Sequence, residues 1–208
     1  MLDFRILSFS VFALCLTGCG QPQEISQASA QDETAKAGQG SNWTVIKDES
    51  FIKFSALQQG KEFEGEFTEF DADILFYPDN LDKSEVTVKI PLQSADTGDS
   101  ERNNTLPGKA WFSAKSFPVA TFRSDNIVET SEGSYLANGS LSMKNITRNI
   151  ELPFSLSSVA AKSDEKVVMT GSMTLDRTDW KVGEEPWNTE EWVSRDIALN
   201  VQITASPE

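Results

Sequence analysis

The chain has no histidine. That excludes Ser-His-Asp and Cys-His nucleophilic catalysis and every imidazole metal site. Cysteine is almost missing too, with Cys15 and Cys19 the only two. Positive charge is scarce: 18 Lys and Arg stand against 32 Asp and Glu, for a net charge of −14. Nucleic acid is therefore disfavoured as a partner, because phosphate contact needs a positive surface. An anionic membrane would also repel the folded part, and the acidity otherwise favours solubility. No G-x-x-x-x-G-K-[ST], G-x-G-x-x-G or G-x-S-x-G string occurs, so neither a nucleotide cradle nor a nucleophile elbow is indicated. A hydrolase would have to run on carboxylates or lysine. Asp176/Asp179 and Glu184/Glu185 are the nearest such pairs, and their spacing singles out neither. The expectation is a protein that is not an enzyme and carries no cofactor or metal.

Long apolar runs are also few. The most continuous, Ile6–Leu16, follows a short polar start that contains Arg5. Its length of about 11 residues is near 16 Å as a helix, at roughly 1.5 Å per residue. A membrane span needs about 20 residues, so residues 1–18 read as a signal peptide. Leu16-Thr17-Gly18-Cys19 then resembles a bacterial lipobox. That resemblance implies that Cys19 becomes the mature N-terminus, carrying a diacylglycerol thioether and an amide-linked acyl chain such as palmitate. Two or more acyl chains anchor stably where one does not. Gly20 follows Cys19 in place of the inner-membrane retention residue Asp, which favours the outer membrane, facing the periplasm. Cleavage before Cys19 removes Cys15, so no disulfide remains possible within one mature chain.

Residues 20–40 hold no aromatic side chain and a single large aliphatic, Ile25. They cannot bury enough surface to offset ordering entropy and are expected to form a flexible tether. Residues 41–206 suffice for one domain.

What this domain does have is alternation with period 2, the mark of half-buried strands. Ile52-Phe54-Ala56, Phe63-Gly65-Phe67 and Val86-Val88-Ile90-Leu92 alternate with polar residues. Later come Ala120-Phe122, Ala137-Gly139-Leu141-Met143, Ile150-Leu152-Phe154-Leu156, Val167-Met169-Gly171-Met173-Leu175 and Ile197-Leu199-Val201-Ile203. Pro78-Asp79-Asn80, Glu132-Gly133 and Lys162-Ser163-Asp164 are turn signals between them. One short helix is expected, over Ser100–Leu106 or Ala110–Phe112. Eight or more strands with one apolar face suggest an all-β sandwich or closed barrel. Gly65, Gly139 and Gly171 on apolar faces favour the barrel, where curvature or a close ligand calls for no side chain. The inward face is rich in Phe and Met, which suits a slender apolar ligand. Its candidates are Ile52, Phe54, Phe63, Phe67, Val88, Ile90, Phe122, Leu141, Met143, Leu152, Phe154, Met173, Leu175, Leu199 and Val201. Trp111 and Phe112 join them, and Phe112 and Phe117 flank a loop able to cover one barrel end.

Four stretches carry a more specific likeness: Gly65-x-Phe67-x-x-Phe70, "SERNNTLPGKAWFSAKSFPVATFRS" (Ser100–Ser124), "NGSLSMKNITRNIELPFSL" (Asn138–Leu156) and "MTLDRTDW" (Met173–Trp180). Together they resemble the YceI-like family over about residues 42–205. The resemblance implies an extended antiparallel, lipocalin-like barrel of about eight to ten strands, in a periplasmic or secreted protein. It further implies a polyisoprenoid lipid bound in an apolar tunnel. Polar positions depart from the family pattern: Glu49-Ser50 stands for His-Ser, Gln58 and Gln59 lie where a second His is common, and Arg102-Asn103-Asn104-Thr105-Leu106 stands for Arg-Asp-x-His-Leu.

Arg102 is the candidate headgroup contact, since its planar fork suits oxygen ligands. Arg177 is expected in a structural salt bridge with Asp176 or Asp179. Val182–Trp192, with four glutamates and two tryptophans, is expected as a solvated hairpin tip anchored by Trp; its spacing is a poor match to calcium. The reading is a membrane-tethered lipid-binding barrel. The alternative is an envelope interaction module whose barrel is filled by its own side chains. Protein partners are left open, a homodimer among them.

Overall fold

The computed structural model describes residues 41–160 and 165–207. The signal segment, Cys19, the tether and the turn at Lys162-Ser163-Asp164 lie outside the described residues. Eleven strands form: β1 (Ser41–Val45), β2 (Phe51–Gln58), β3 (Lys61–Phe67), β4 (Asp71–Phe76), β5 (Glu85–Pro91), β6 (Ala95–Asp96), β7 (Val119–Ser131), β8 (Ser134–Met143), β9 (Ile146–Ala160), β10 (Glu165–Asp176) and β11 (Asp196–Pro207). One helix, α1 (Ser100–Thr105), takes the first of the two expected places. Asp99 caps it, accepting from the Arg102 N–H at 2.9 Å. None of the helices described is long and apolar enough to cross a membrane.

All pairings are antiparallel, and the sheet closes on itself. β1 and β2 both run against β11, with Trp43 opposite Pro207 and Ile52 opposite Val201. They are two segments of one bent strand. β3 and β4 form a second such strand, β5 and β6 a third. Counted this way the fold is an eight-stranded meander, closed where the first strand meets the last. The three interruptions, at residues 46–50, 68–70 and 92–94, lie side by side in the wall. A small second core of Ile52, Phe70, Val201 and Ile203 fills that level. Lys47 latches it from outside, with Nζ donating to the Phe70 carbonyl and lying 4.3 Å from the Phe70 ring centre.

The alternation explains the inward face, and one irregularity corrects it. On β7, Ala120, Phe122 and Ser124 are buried; a register shift between Ser124 and Asn126 then moves the inward position to Ile127. Gly65 and Gly139 have a packing reason rather than a ligand. The Phe54 ring lies across Gly65, and Phe122 Cε2 would lie 2.8 Å from a Cβ on Gly139. Gly171 is tight against backbone, 3.0 Å from the Pro153 carbonyl by the same measure.

The two ends of the barrel differ. One gathers the tight turns Gln59-Gly60 and Lys144-Asn145, all four with positive φ, and two long connections, residues 97–118 and 177–195. The other holds the start of β1, the connection 77–84, the turn Glu132-Gly133 and the end of β11.

Candidate functional site

The barrel encloses a cavity of about 620 Å³, within the range of roughly 300–1,000 Å³ found for ligand sites. Its wall is apolar because the inward positions of every long strand are apolar. All seventeen inward candidates named from the sequence, Trp111 and Phe112 included, line it. Leu199 and Met173 face each other across β10 and β11 and stay half-buried, so free space lies against them. Arg177 is the one charged side chain in the wall and Tyr135 the one hydroxyl. Tyr135 stacks on Phe154 at 5.3 Å and meets Phe76 edge-on at 5.8 Å. Burial, reinforced by Glu129, pushes its phenol pKa up.

The cavity is closed at one end and open at the other. At the long-connection end the lining residues Leu106, Trp111, Phe112, Trp180, Val182 and Val193 are all buried. At the opposite end Pro78 and Pro207 line it while exposed to solvent. Trp43 and Tyr135 stand near that mouth.

The closed end is organised by Arg177, 3% exposed. This corrects the expected salt bridge: no carboxylate pairs with it among the described ion pairs, and Arg195 takes Asp176 instead, at 2.8 Å. The guanidinium donates to the carbonyls of Ser194 (2.9 Å), Val182 (2.6 Å), Gly183 (3.1 Å), Trp187 (2.7 Å) and Val193 (2.9 Å). All five N–H donors are thereby occupied. Burial lowers its pKa, with Asp176 opposing, though a guanidinium stays charged. Val182–Trp192 meets the barrel end through buried Val182 and Gly183 and half-buried Trp187, whose ring lies 6.3 Å from that of Trp111, while its other eight residues are exposed to solvent. Gly183 and Glu184 N–H groups join it to the other long connection through the Ala110 carbonyl, at 2.8 and 2.7 Å. Its four glutamates are exposed, and no metal-holding cluster occurs among the described residues.

Arg102 is absent from the cavity wall. It stands 4.8 Å from the Phe63 ring centre and donates to Thr97 Oγ1 (3.2 Å) and Gln58 Oε1 (3.2 Å). Phe117 is half-buried and outside the lining. Asp176 is opposed by burial, yet the Thr178 hydroxyl and N–H and Arg195 hold its carboxyl below the usual range. It neither lines the cavity nor suits a general acid. Leu92, inward by the strand alternation, lines the cavity, whereas Trp43, Leu106, Tyr135, Trp180 and Val193 are wall residues that the alternation did not single out. Trp180 and Leu106 lie within the quoted family stretches, the one signal that pointed at them.

A model of the YceI-like domain matches residues 43–205. The chain belongs to the YceI-like family. It is 29% identical over 153 residues to a UPF0312 protein of Yersinia pestis (strain Pestoides F), covering 73% of this chain and 71% of that protein. A UPF0312 protein of Photorhabdus laumondii is 31% identical over 104 residues, 50% of this chain and 54% of that one. The crystal structure of Burkholderia cenocepacia BcnA matches with a TM-score of 0.72 at 25% identity, over 77% of this chain and 99% of that chain. A polyisoprenoid binding domain from Saccharophagus degradans, implicated in plant cell wall breakdown, matches with a TM-score of 0.61 at 14% identity, over 82% and 100%. The last likeness is one of fold. In this YceI-like barrel two of the polar departures serve the wall, Glu49 pairing with Lys166 at 2.6 Å and Gln58 holding Arg102, while Ser50, which matches the pattern, accepts at Oγ from the Thr204 N–H at 2.9 Å.

Proposed function

We propose that this YceI-like protein holds a long apolar lipid of polyisoprenoid type inside its barrel, for storage, shielding or transport in the bacterial envelope. The observation that carries the reading is the apolar cavity of about 620 Å³, closed at one end and open at the other. A barrel filled by its own side chains has no such space. Apolar burial contributes about 25 cal/mol per Å², so each 100 Å² of lipid surface taken from water contributes about 2.5 kcal/mol before the cost of association. The barrel acts by excluding water and does no chemistry on its ligand. The name of the Saccharophagus degradans neighbour supports the ligand class. The lipobox supports a triacylated Cys19 that tethers the barrel, by way of residues 20–40, to the outer membrane on its periplasmic side.

The full chain, expressed in a bacterial host that processes lipoproteins, tests this. Organic extraction of the purified protein followed by mass spectrometry is expected to yield about one long isoprenoid lipid per chain. Leu199→Trp, which fills the barrel middle, is expected to yield none while keeping its fold. Cys19→Ser is expected to move the protein from the membrane to the soluble fraction. An empty wild-type extract, with no uptake of added polyprenyl lipid, would leave the interaction module as the better reading.

A further inference from the structure

The outside of the barrel carries an apolar patch near each end. At the closed end Leu57 and Trp192 are 47% and 39% exposed. They stand side by side, the Gln59 N–H donating to the Trp192 carbonyl at 3.0 Å and the Ser194 N–H to the Leu57 carbonyl at 2.8 Å. Near the mouth Val128 is 38% exposed. It lies opposite Leu136, which lies opposite Pro153, so the three make one row across β7, β8 and β9. The row faces outward, because Tyr135 and Ala137, on either side of Leu136, line the cavity. Leu136 comes three residues after Gly133, about 10 Å from the rim at about 3.4 Å per residue. The row between it and the rim is uncharged, with Ser134 opposite Ser155. Single exposed apolar residues need no explanation, but a contiguous row of them near a cavity mouth marks a contact surface.

The course of the chain says which patch meets a membrane. β1 enters the barrel at the mouth, with Ser41 opposite Phe76, the last residue of β4. About 22 residues separate Cys19 from Ser41, a length that as coil spans about 25 Å. A strand of 12 residues such as β10 spans about 40 Å. An acyl anchor on Cys19 therefore keeps the mouth close to the bilayer and leaves the Leu57 and Trp192 patch a barrel length further off. Charge points the same way: the loop that carries Trp192 also exposes Glu184, Glu185, Glu190 and Glu191. Glu129 and Glu132 stand exposed near the mouth, so neutral headgroups suit that end better than anionic ones.

We propose that the barrel docks mouth-down on the bilayer that holds its own anchor, with Val128, Leu136 and Pro153 set into a neutral headgroup layer. This rests on the acylated Cys19 of the reading above and adds the contact surface, its partner and a route. A lipid passes from that bilayer into the open end of the cavity without crossing water.

The test uses the full chain, acylated at Cys19, in phosphatidylcholine vesicles that carry an energy-transfer acceptor on some headgroups. Cleavage before Cys19 leaves no other cysteine. A donor dye can therefore be placed on Asn80→Cys in the rim connection or on Asn188→Cys in the loop Val182–Trp192, both exposed positions. Transfer is expected to be stronger from position 80 than from position 188. Val128→Glu, at a side chain already exposed, is expected to keep the thermal unfolding of wild type. It is expected to shift the barrel about tenfold from docked toward free, the order for one buried valine side chain, and so to lower transfer from position 80. Equal transfer from the two positions, stronger transfer from position 188, or no response to Val128→Glu overturns the proposal and leaves the anchor standing. A chain that stays off the vesicles, as Cys19→Ser is expected to do, removes the anchor and the proposal with it.

Discussion

The mouth of the barrel and its closed end solve opposite problems with different kinds of chain. At the mouth, strands are joined by the connection 77–84 and the turn Glu132-Gly133, and prolines stand at the rim. Water satisfies the backbone there. At the closed end, residues 97–118 and 177–195 cross the opening with irregular backbone beside short helical turns, and irregular backbone out of water carries carbonyls in need of donors. One buried arginine answers for five of them. The lesson is that closing a barrel is a hydrogen-bonding problem more than a packing one.

The largest expected effect comes from removing that arginine. Arg177→Met should cost about 3–5 kcal/mol, as for other groups whose loss strands buried polar partners, read as a shift in urea midpoint. Arg177→Lys, with three donors for five acceptors, should recover part of it. Pro78→Ala at the mouth should stay within about 0.5 kcal/mol, as surface changes do. Equal losses at both ends would break the comparison.

A matched pair of glycines sharpens it. Gly183 at the closed end and Gly133 at the mouth have φ of +76° and +70°, so alanine strains both backbones by about 1–2 kcal/mol. A Cβ on Gly133 meets nothing nearer than the Leu156 carbonyl at 3.7 Å, whereas one on Gly183 lands on Arg177 Nη1. Gly183→Ala should therefore cost about 1–3 kcal/mol more than Gly133→Ala, the range for overpacking. Thermal unfolding of the two variants checks this.

The smallest effect is pH-dependent and absent at neutrality. Asp96, Asp99 and Asp176 all sit at the closed end with carboxyls held below the ordinary 3.8: Asp96 chiefly by the Gly98 N–H, Asp99 chiefly by the Arg102 N–H, and Asp176 by Thr178 and Arg195 against the opposing effect of burial. A carboxyl with a depressed folded pKa contributes stability above its unfolded value and loses it as pH falls through the folded one. Nothing should change from pH 7 down to about 5. Below 3.8 the closed end should loosen first, with the indole resonances of Trp111, Trp187 and Trp192 broadening before that of Trp43. Simultaneous broadening would sink this ordering of the two ends.

The same division governs how far the site was legible. The barrel wall could be read because strands impose period 2, and Leu199, Met173 or Phe154 declare their side by their neighbours. The closed end could not. Leu106, Val182 and Val193 lie in connections without periodicity, and Val182 looked like the start of a polar turn. Arg177 was misread because Asp176 and Asp179 are its neighbours in sequence, while its true partners are carbonyls brought back by chain up to 17 residues away. Backbone acceptors leave no trace in composition. The glycines fell between: their inward position was visible, but the rings of Phe54 and Phe122 across two of them belong to neighbouring strands.

The ladder that closes the barrel joins its beginning to its end, Val45 opposite Ala205 and Ile52 opposite Val201. Every other ladder links neighbours along the chain and can form as the polypeptide emerges. This one bears nearly the whole loop-closure entropy of the domain and waits for the last strand. Until β11 arrives, β2 and β10 both lack the neighbour they pair with, and an unpaired strand edge is a template for aggregation. A stop codon within the last dozen residues would therefore do more than shorten the protein: it would leave an open sheet with no interior to fill.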